Sequence, residues 1–168
     1  FIIWILYMQK ARANRKLVEK NLELMKQEEH DKSAPGDQGT KSFLPDEETV
    51  RIVDELENLM KANKYFTEKQ ITLASLAGDL QTNTSYLSRI INEKYKMNFS
   101  NFLNAYRIKE AQKMFAQNKQ ESMTLEGIAE SIGFQSRSTF NSAFKKITGI
   151  TPSVYLKNLK DIKENNEM

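Results

Sequence analysis

The chain has no cysteine, one histidine, one tryptophan, six glycines in 168 residues, and no apolar run longer than the eight residues that open it. The missing cysteine excludes disulfides, thiolate metal sites and cysteine nucleophiles together, and fits a reducing cytoplasm. The single histidine, His30, stands in a polar stretch, so no serine–histidine pair and no histidine ligand cluster can be assembled. No glycine-rich phosphate loop is present. The paired acids Glu28-Glu29 and Glu47-Glu48 lie in charged surroundings and read as solvated. An enzyme, a cofactor and a metal site are therefore not expected. No segment alternates β-branched with polar residues, so no sheet is predicted either.

What is present is helical periodicity, and one pattern occurs twice. The first copy runs from Ile71-Thr72-Leu73 through Leu76-Ala77 and a turn at Gln81-Thr82-Asn83 to Tyr86-Leu87-Ser88-Arg89-Ile90-Ile91. The second runs from Met123-Thr124-Leu125 through Ile128-Ala129 and Ile132-Gly133-Phe134 to Thr139-Phe140-Asn141-Ser142-Ala143-Phe144. Leu87, Ile90 and Ile91 repeat at i, i+3 and i+4, as do Phe140, Ala143 and Phe144, so each copy ends in a helix with one apolar face. Leu73 precedes Leu87 by 14 residues and Leu125 precedes Phe140 by 15, which gives the second turn one extra residue. Each copy predicts a helix-turn-helix unit, and two such units can read one face of a duplex.

Charge follows the pattern. Residues 83–160 hold 12 Lys/Arg against 5 Asp/Glu, whereas residues 46–82 hold 4 against 8, within a whole-chain formal charge of +3. Positive charge thus gathers where a phosphate-binding surface would need it.

The remaining segments set the boundaries. Phe1-Ile2-Ile3-Trp4-Ile5-Leu6-Tyr7-Met8 gives way abruptly to Lys10, Arg12, Arg15 and Lys16. Eight residues cannot cross a bilayer, which takes roughly 20. With Trp4 and Tyr7 suited to an interface and cations following, residues 1–8 are expected to end a transmembrane helix, with an inner-membrane tether in a bacterium. A short amphipathic helix packed on the domain is the alternative. Residues 9–29 predict a basic juxtamembrane helix, with Val18, Leu22 and Met25 spaced four then three. Residues 30–45, with Pro35-Gly36 at their centre, predict a flexible linker. Seven helices follow within 46–160, and residues 161–168 read as a frayed polar tail. The helix-turn-helix units occupy 72–93 and 124–147, joined by a long helix from Asn98 to about Ala116. Thr72, Asn83, Asn98, Thr124 and Ser136 are the predicted N-caps. The fold expected is all-α.

Residues 46–160 resemble the DNA-binding domain of the AraC/XylS transcription regulators. The resemblance is carried by Ile128-Ala129, Gly133-Phe134, Ser138, Phe140, Phe144-Lys145-Lys146, Gly149, Thr151-Pro152 and Tyr155, and in the first unit by Leu76-Ala77, Ser85-Tyr86-Leu87-Ser88-Arg89 and Tyr106-Arg107. It implies a seven-helix domain whose two recognition helices enter successive major grooves. It also implies a regulator, in the main an activator, that meets double-stranded DNA and RNA polymerase. Two positions depart from the family: Gln81-Thr82 replaces a small residue or glycine, which predicts a differently built turn, and Leu156 replaces an arginine.

Helical geometry selects the readers. With the apolar faces buried, Ser85, Ser88 and Arg89 face outward in the first unit, and Arg137, Ser138, Asn141 and Ser142 in the second. Arginine grips guanine at two points, asparagine pairs with adenine, and serine bonds several bases. These seven are the candidate base contacts, Arg89 and Arg137 foremost. Thr84, Thr139, Lys145 and Lys146 are the candidate phosphate contacts. A helical protein-interaction module of the same fold is the rival reading, and oligomeric state is left open.

Overall fold

The computed structural model describes residues 2–30, 47–62, 64–119 and 122–166, and all their regular structure is helical. Helix α1 spans Ile2–His30, α2 Glu47–Lys61, α3 Leu73–Asp79, α4 Thr84–Tyr95, α5 Phe99–Ala116, α6 Leu125–Ser131, α7 Arg137–Thr148 and α8 Pro152–Asn166. A short 3-10 turn at Tyr65–Thr67, which the apolar pattern does not announce, stands between α2 and α3. The seven helices expected after residue 46 are α2 to α8.

Local chemistry starts five of them. The side chains of Thr72, Asn83, Asn98, Thr124 and Ser136 each accept from the backbone N–H three residues on, and Thr72 and Ser75 do so reciprocally. Each cap contributes about 1 kcal/mol by pairing an N–H that the helix cannot satisfy itself.

Two apolar cores then form. Ile52, Leu56 and Met60 of α2 meet Leu76, Leu87 and Ile91 of the first unit. Ile128, Phe134, Phe140 and Phe144 of the second unit meet Tyr155 and Leu159 of α8. Helix α5 serves both: Phe102 and Leu103 enter the first core, and Ile108, Ala111 and Phe115 enter the second. Its burial therefore extends well beyond the single stripe of Phe99, Phe102, Leu103, Tyr106 and Met114 that its spacing suggests. In the second core Phe115, Phe134, Phe140, Phe144 and Tyr155 pack ring against ring at centroid distances of 5.3 to 6.1 Å. Such pairs add about 0.5–1.5 kcal/mol each beyond the area they bury.

The expectation about the first turn is corrected. In both units the chain leaves its first helix through the same pair of hydrogen bonds. Thr82 N–H donates to Ala77 O (2.9 Å) and Gln81 N–H to Gly78 O (3.0 Å); Phe134 N–H donates to Ala129 O (2.9 Å) and Gly133 N–H to Glu130 O (3.0 Å). This is the Schellman arrangement, and it puts one residue in the left-handed region. Gly133 takes that position at φ 90° without a side-chain clash, and Gln81 takes it at φ 52°. The turns are built alike although their residues differ.

One further expectation changes. Helix α8 is a 15-residue helix reaching Asn166, not a short one with a tail frayed from residue 161. Lys163 anchors it by donating to Ala116 O (2.7 Å) and Asn118 Oδ1 (2.6 Å), closing the exposed end of α5. Residues 2–30 form one continuous helix whose middle packs on the domain, with Val18 wholly buried. Among the described residues no helix is long and apolar enough to cross a membrane. The predicted linker, apart from His30 at the end of α1, lies outside the described residues.

The two left-handed positions should respond oppositely. A Cβ at Gly133 would stand 2.8 Å from Arg107 Nη2, Phe66 O and Thr67 O. Gly133→Ala is expected to cost more than about 2 kcal/mol by combining backbone strain with overpacking. Gln81→Gly should be neutral or stabilise by up to about 1 kcal/mol, because relief of the left-handed penalty offsets or exceeds the entropy that glycine adds to the unfolded chain. Urea unfolding of the two variants beside the parent measures both.

Candidate nucleic-acid interface

Two helices can present side chains outward from a capped start and a buried apolar face. In α4, Leu87, Ile90 and Ile91 are buried, while Thr84, Ser85 and Arg89 are exposed and Ser88 partly so. In α7, Phe140, Ala143 and Phe144 are buried, while Arg137, Ser138, Thr139, Ser142, Lys145 and Lys146 are exposed and Asn141 partly so. All eleven predicted contact residues are thus open to solvent on the two second helices, and each helix groups its own set on the face away from the core.

Several of them are held rather than loose. The Arg89 guanidinium lies 4.9 Å from the centre of the Tyr86 ring, and the Tyr86 hydroxyl is hydrogen-bonded to Thr49 Oγ1 of α2 at 2.6 Å. That stack orders a long side chain in advance. Asn92 Nδ2 donates to Ser88 Oγ at 3.5 Å one turn on, which biases the Ser88 hydroxyl. Around the start of α7 the Ser136 hydroxyl is 3.1 Å from Ser138 Oγ and 2.8 Å from Thr139 Oγ1, while it also accepts from Thr139 N–H. Ser138 and Thr139 therefore share their hydroxyls with the cap. Lys146 Nζ donates to Asn101 Oδ1 of α5 at 2.9 Å, and Lys145 and Lys146 together face the negative end of α7. The first turns of α4 and α7 contain no acidic residue, which leaves both N-termini positive.

What holds the two units together was not assigned from sequence. Arg107, on α5, is buried, and its Nε donates to Phe66 O at 2.7 Å and its Nη2 to Glu68 O at 2.8 Å. On its other side the guanidinium stands 5.4 Å from the centre of the Phe134 ring in the second turn. Burial pulls its pKa below the usual arginine value, although the group stays a cation. Gln135, the extra residue of the second turn, reaches back from the start of α7 to Lys69 O at 3.1 Å. The only hint in the chain was Arg107 on a helix rich in apolar residues, since its partners lie about forty residues away.

Comparison with known proteins supports this geometry. The profile of a helix-turn-helix domain family matches residues 76–158. An uncharacterised HTH-type transcriptional regulator of Bacillus subtilis, YtdP, is 30% identical over 99 residues, which is 59% of this chain but only 12% of that protein's length. The C-terminal domain of AraT, a response regulator from Geobacillus stearothermophilus, is 25% identical with a TM-score of 0.55, covering 68% of this chain and 88% of that domain. The C-terminal domain of the two-component response regulator yesN from Fusobacterium nucleatum is 28% identical with a TM-score of 0.54, covering 62% of this chain and 97% of that domain.

Arg107 offers a direct test of the clamp. Arg107→Met keeps the length but leaves the carbonyls of Phe66 and Glu68 without their donor, and should cost about 3 kcal/mol. Arg107→Lys should recover only part of it, because an ammonium lacks the planar fork that reaches both oxygens. Chemical denaturation decides; equal stability of all three chains would remove Arg107 from the clamp.

Proposed function

Because the domain spanning residues 76–158 belongs to the AraC-type helix-turn-helix family, we propose that its two recognition helices read successive major grooves on one face of the DNA. DNA-binding transcription regulation is the function of this domain. The observation that carries the finer reading is the duplicated presentation: α4 and α7 each leave a Schellman turn, start on a side-chain cap, bury an apolar face and turn a short polar one outward. A lone unit would supply one short recognition surface, whereas two on a shared central helix supply a bipartite one.

Ser85, Ser88 and Arg89 read bases in one groove, and Arg137, Ser138, Asn141 and Ser142 read them in the next. Thr84, Thr139, Lys145 and Lys146 bond phosphates and set the register. Arg89, already ordered over Tyr86, loses little freedom on gripping a guanine. The regulator acts as an activator through contact with RNA polymerase, and its domain works where chromosomal DNA is, in the cytoplasm.

Selection of the whole chain against a randomised duplex pool at physiological salt is the experiment. A bipartite motif, its elements about 10 base pairs apart, is expected. Enrichment of a single element would leave one helix idle, and no retention of DNA would favour the protein-interaction module. On the selected site Arg89→Ala and Arg137→Ala should each cost about 1–3 kcal/mol and relax preference at their own element alone. Lys145→Gln should weaken all duplexes alike and lower the salt slope by about 1. Titrations at several salt concentrations separate these outcomes, and an unchanged slope takes Lys145 out of the interface.

A further inference from the structure

Helix α1 lies outside the matched domain, yet it completes the second core. Val18 is wholly buried there, with Leu17 and Leu22 packed beside it. α1 runs along α8 and against the end of α7. Its contact with α7 is built around one turn. Gly149 ends that helix at φ 84°, and a Cβ there would stand 2.7 Å from Leu17 Cδ2, so Leu17 lies directly on the glycine. One turn further along, Asn21 Nδ2 donates to Leu17 O at 2.8 Å and reaches Thr148 O at 3.4 Å. Thr148 is itself buried, its hydroxyl donating to Phe144 O (2.8 Å) and lying 3.0 Å from Ile150 O. The last turn of α7 is thereby finished by a helix 127 positions away in sequence.

This cover is additional to the domain. The family match begins at residue 76, and the related C-terminal domains are 88% and 97% covered by about two thirds of this chain. The opposite side of α1 carries exposed Arg12, Lys16 and Lys20.

We propose that the surface formed by the end of α7 and by α8 is a docking site for this chain's own residues 14–22, and that α1 seated there holds α7 in its DNA-reading position. The lever is short. Displacing α1 uncovers Thr148 and Gly149, and α7 carries that change along about 18 Å of helix to Arg137 at its other end. Whatever moves α1 then alters the second recognition helix and spares the first, whose core, among the described residues, holds no α1 side chain.

The inference rests on the two-groove reading, and the test keeps the two apart by including a measurement without DNA. Full-length Val18→Asp and the milder Val18→Ala are compared with the parent by amide hydrogen exchange and by affinity for two duplexes. One duplex carries both selected elements and the other only the element read by α4. In Val18→Asp, exchange in the last turn of α7 and in α8 should quicken at least tenfold. Affinity for the two-element duplex should fall about tenfold, towards that of the one-element duplex, which should itself not change; Val18→Ala should lie between. Faster exchange with full two-element affinity would make α1 a passive cover and overturn the proposal. Unchanged exchange in both variants would overturn it as well, as would an equal loss on the two duplexes. A parent chain with no two-element preference would sink the DNA reading and the control of it, while the exchange data would still report on docking.

Discussion

A buried guanidinium sets the relation between the two halves of this domain. Arg107 stands on the helix they share, donates to one carbonyl inside the first core's 3-10 turn and one just after it, and faces the aromatic ring of Phe134 in the second turn. Without Arg107 the carbonyl of buried Phe66 would be an acceptor lacking this donor. Gly133 is small for the same reason: its α-carbon lies against the guanidinium and the two carbonyls of Phe66 and Thr67. Two helix-turn-helix units on a flexible tether could each find a groove but would lose entropy in finding both. Fixed to one helix by a charged, planar donor, the two units keep one spacing.

The duplication shows how far one backbone design tolerates different side chains. Both turns close on the same two hydrogen bonds, yet one uses glycine at the left-handed position and the other glutamine. Gly133 has no alternative because its surroundings are full, whereas Gln81 is exposed and its side chain extends into solvent. The additional residue in the second turn, Gln135, is used as a strut to Lys69 rather than as slack. Differences between the copies therefore mark where the second unit meets the first.

Helix α1 adds a layer to this arrangement. Among the described residues of α1, the apolar side chains that pack on the domain are Leu17, Val18 and Leu22, of which the first two are adjacent. Its contact falls on the last turn of α7, where Asn21 reaches the terminal carbonyl of Thr148.

Much of this was legible in the chain because it depends on neighbours. Helix type follows from the spacing of Leu87, Ile90 and Ile91 or Phe140, Ala143 and Phe144, and the five N-caps from side chains that reach only three residues ahead. The outward faces of α4 and α7 follow from the same spacing, since a residue that is not on the buried stripe must be on the open one. The candidate site was therefore legible as two sets of residues, and the order in which Tyr86 holds Arg89 was not. The extent of α8 was hidden because its polar end is secured by Lys163 reaching α5. The burial of α5 on two sides was hidden because its residues divide between cores that only folding defines. By itself the sequence determined the helices, their starts, the doubled unit and the polar faces, all of which are set within a few turns of chain. The clamp at Arg107 and the seat of α1 on α7 were decided by tertiary structure alone, because each joins groups that no local periodicity relates and that meet only when apolar burial has closed both cores.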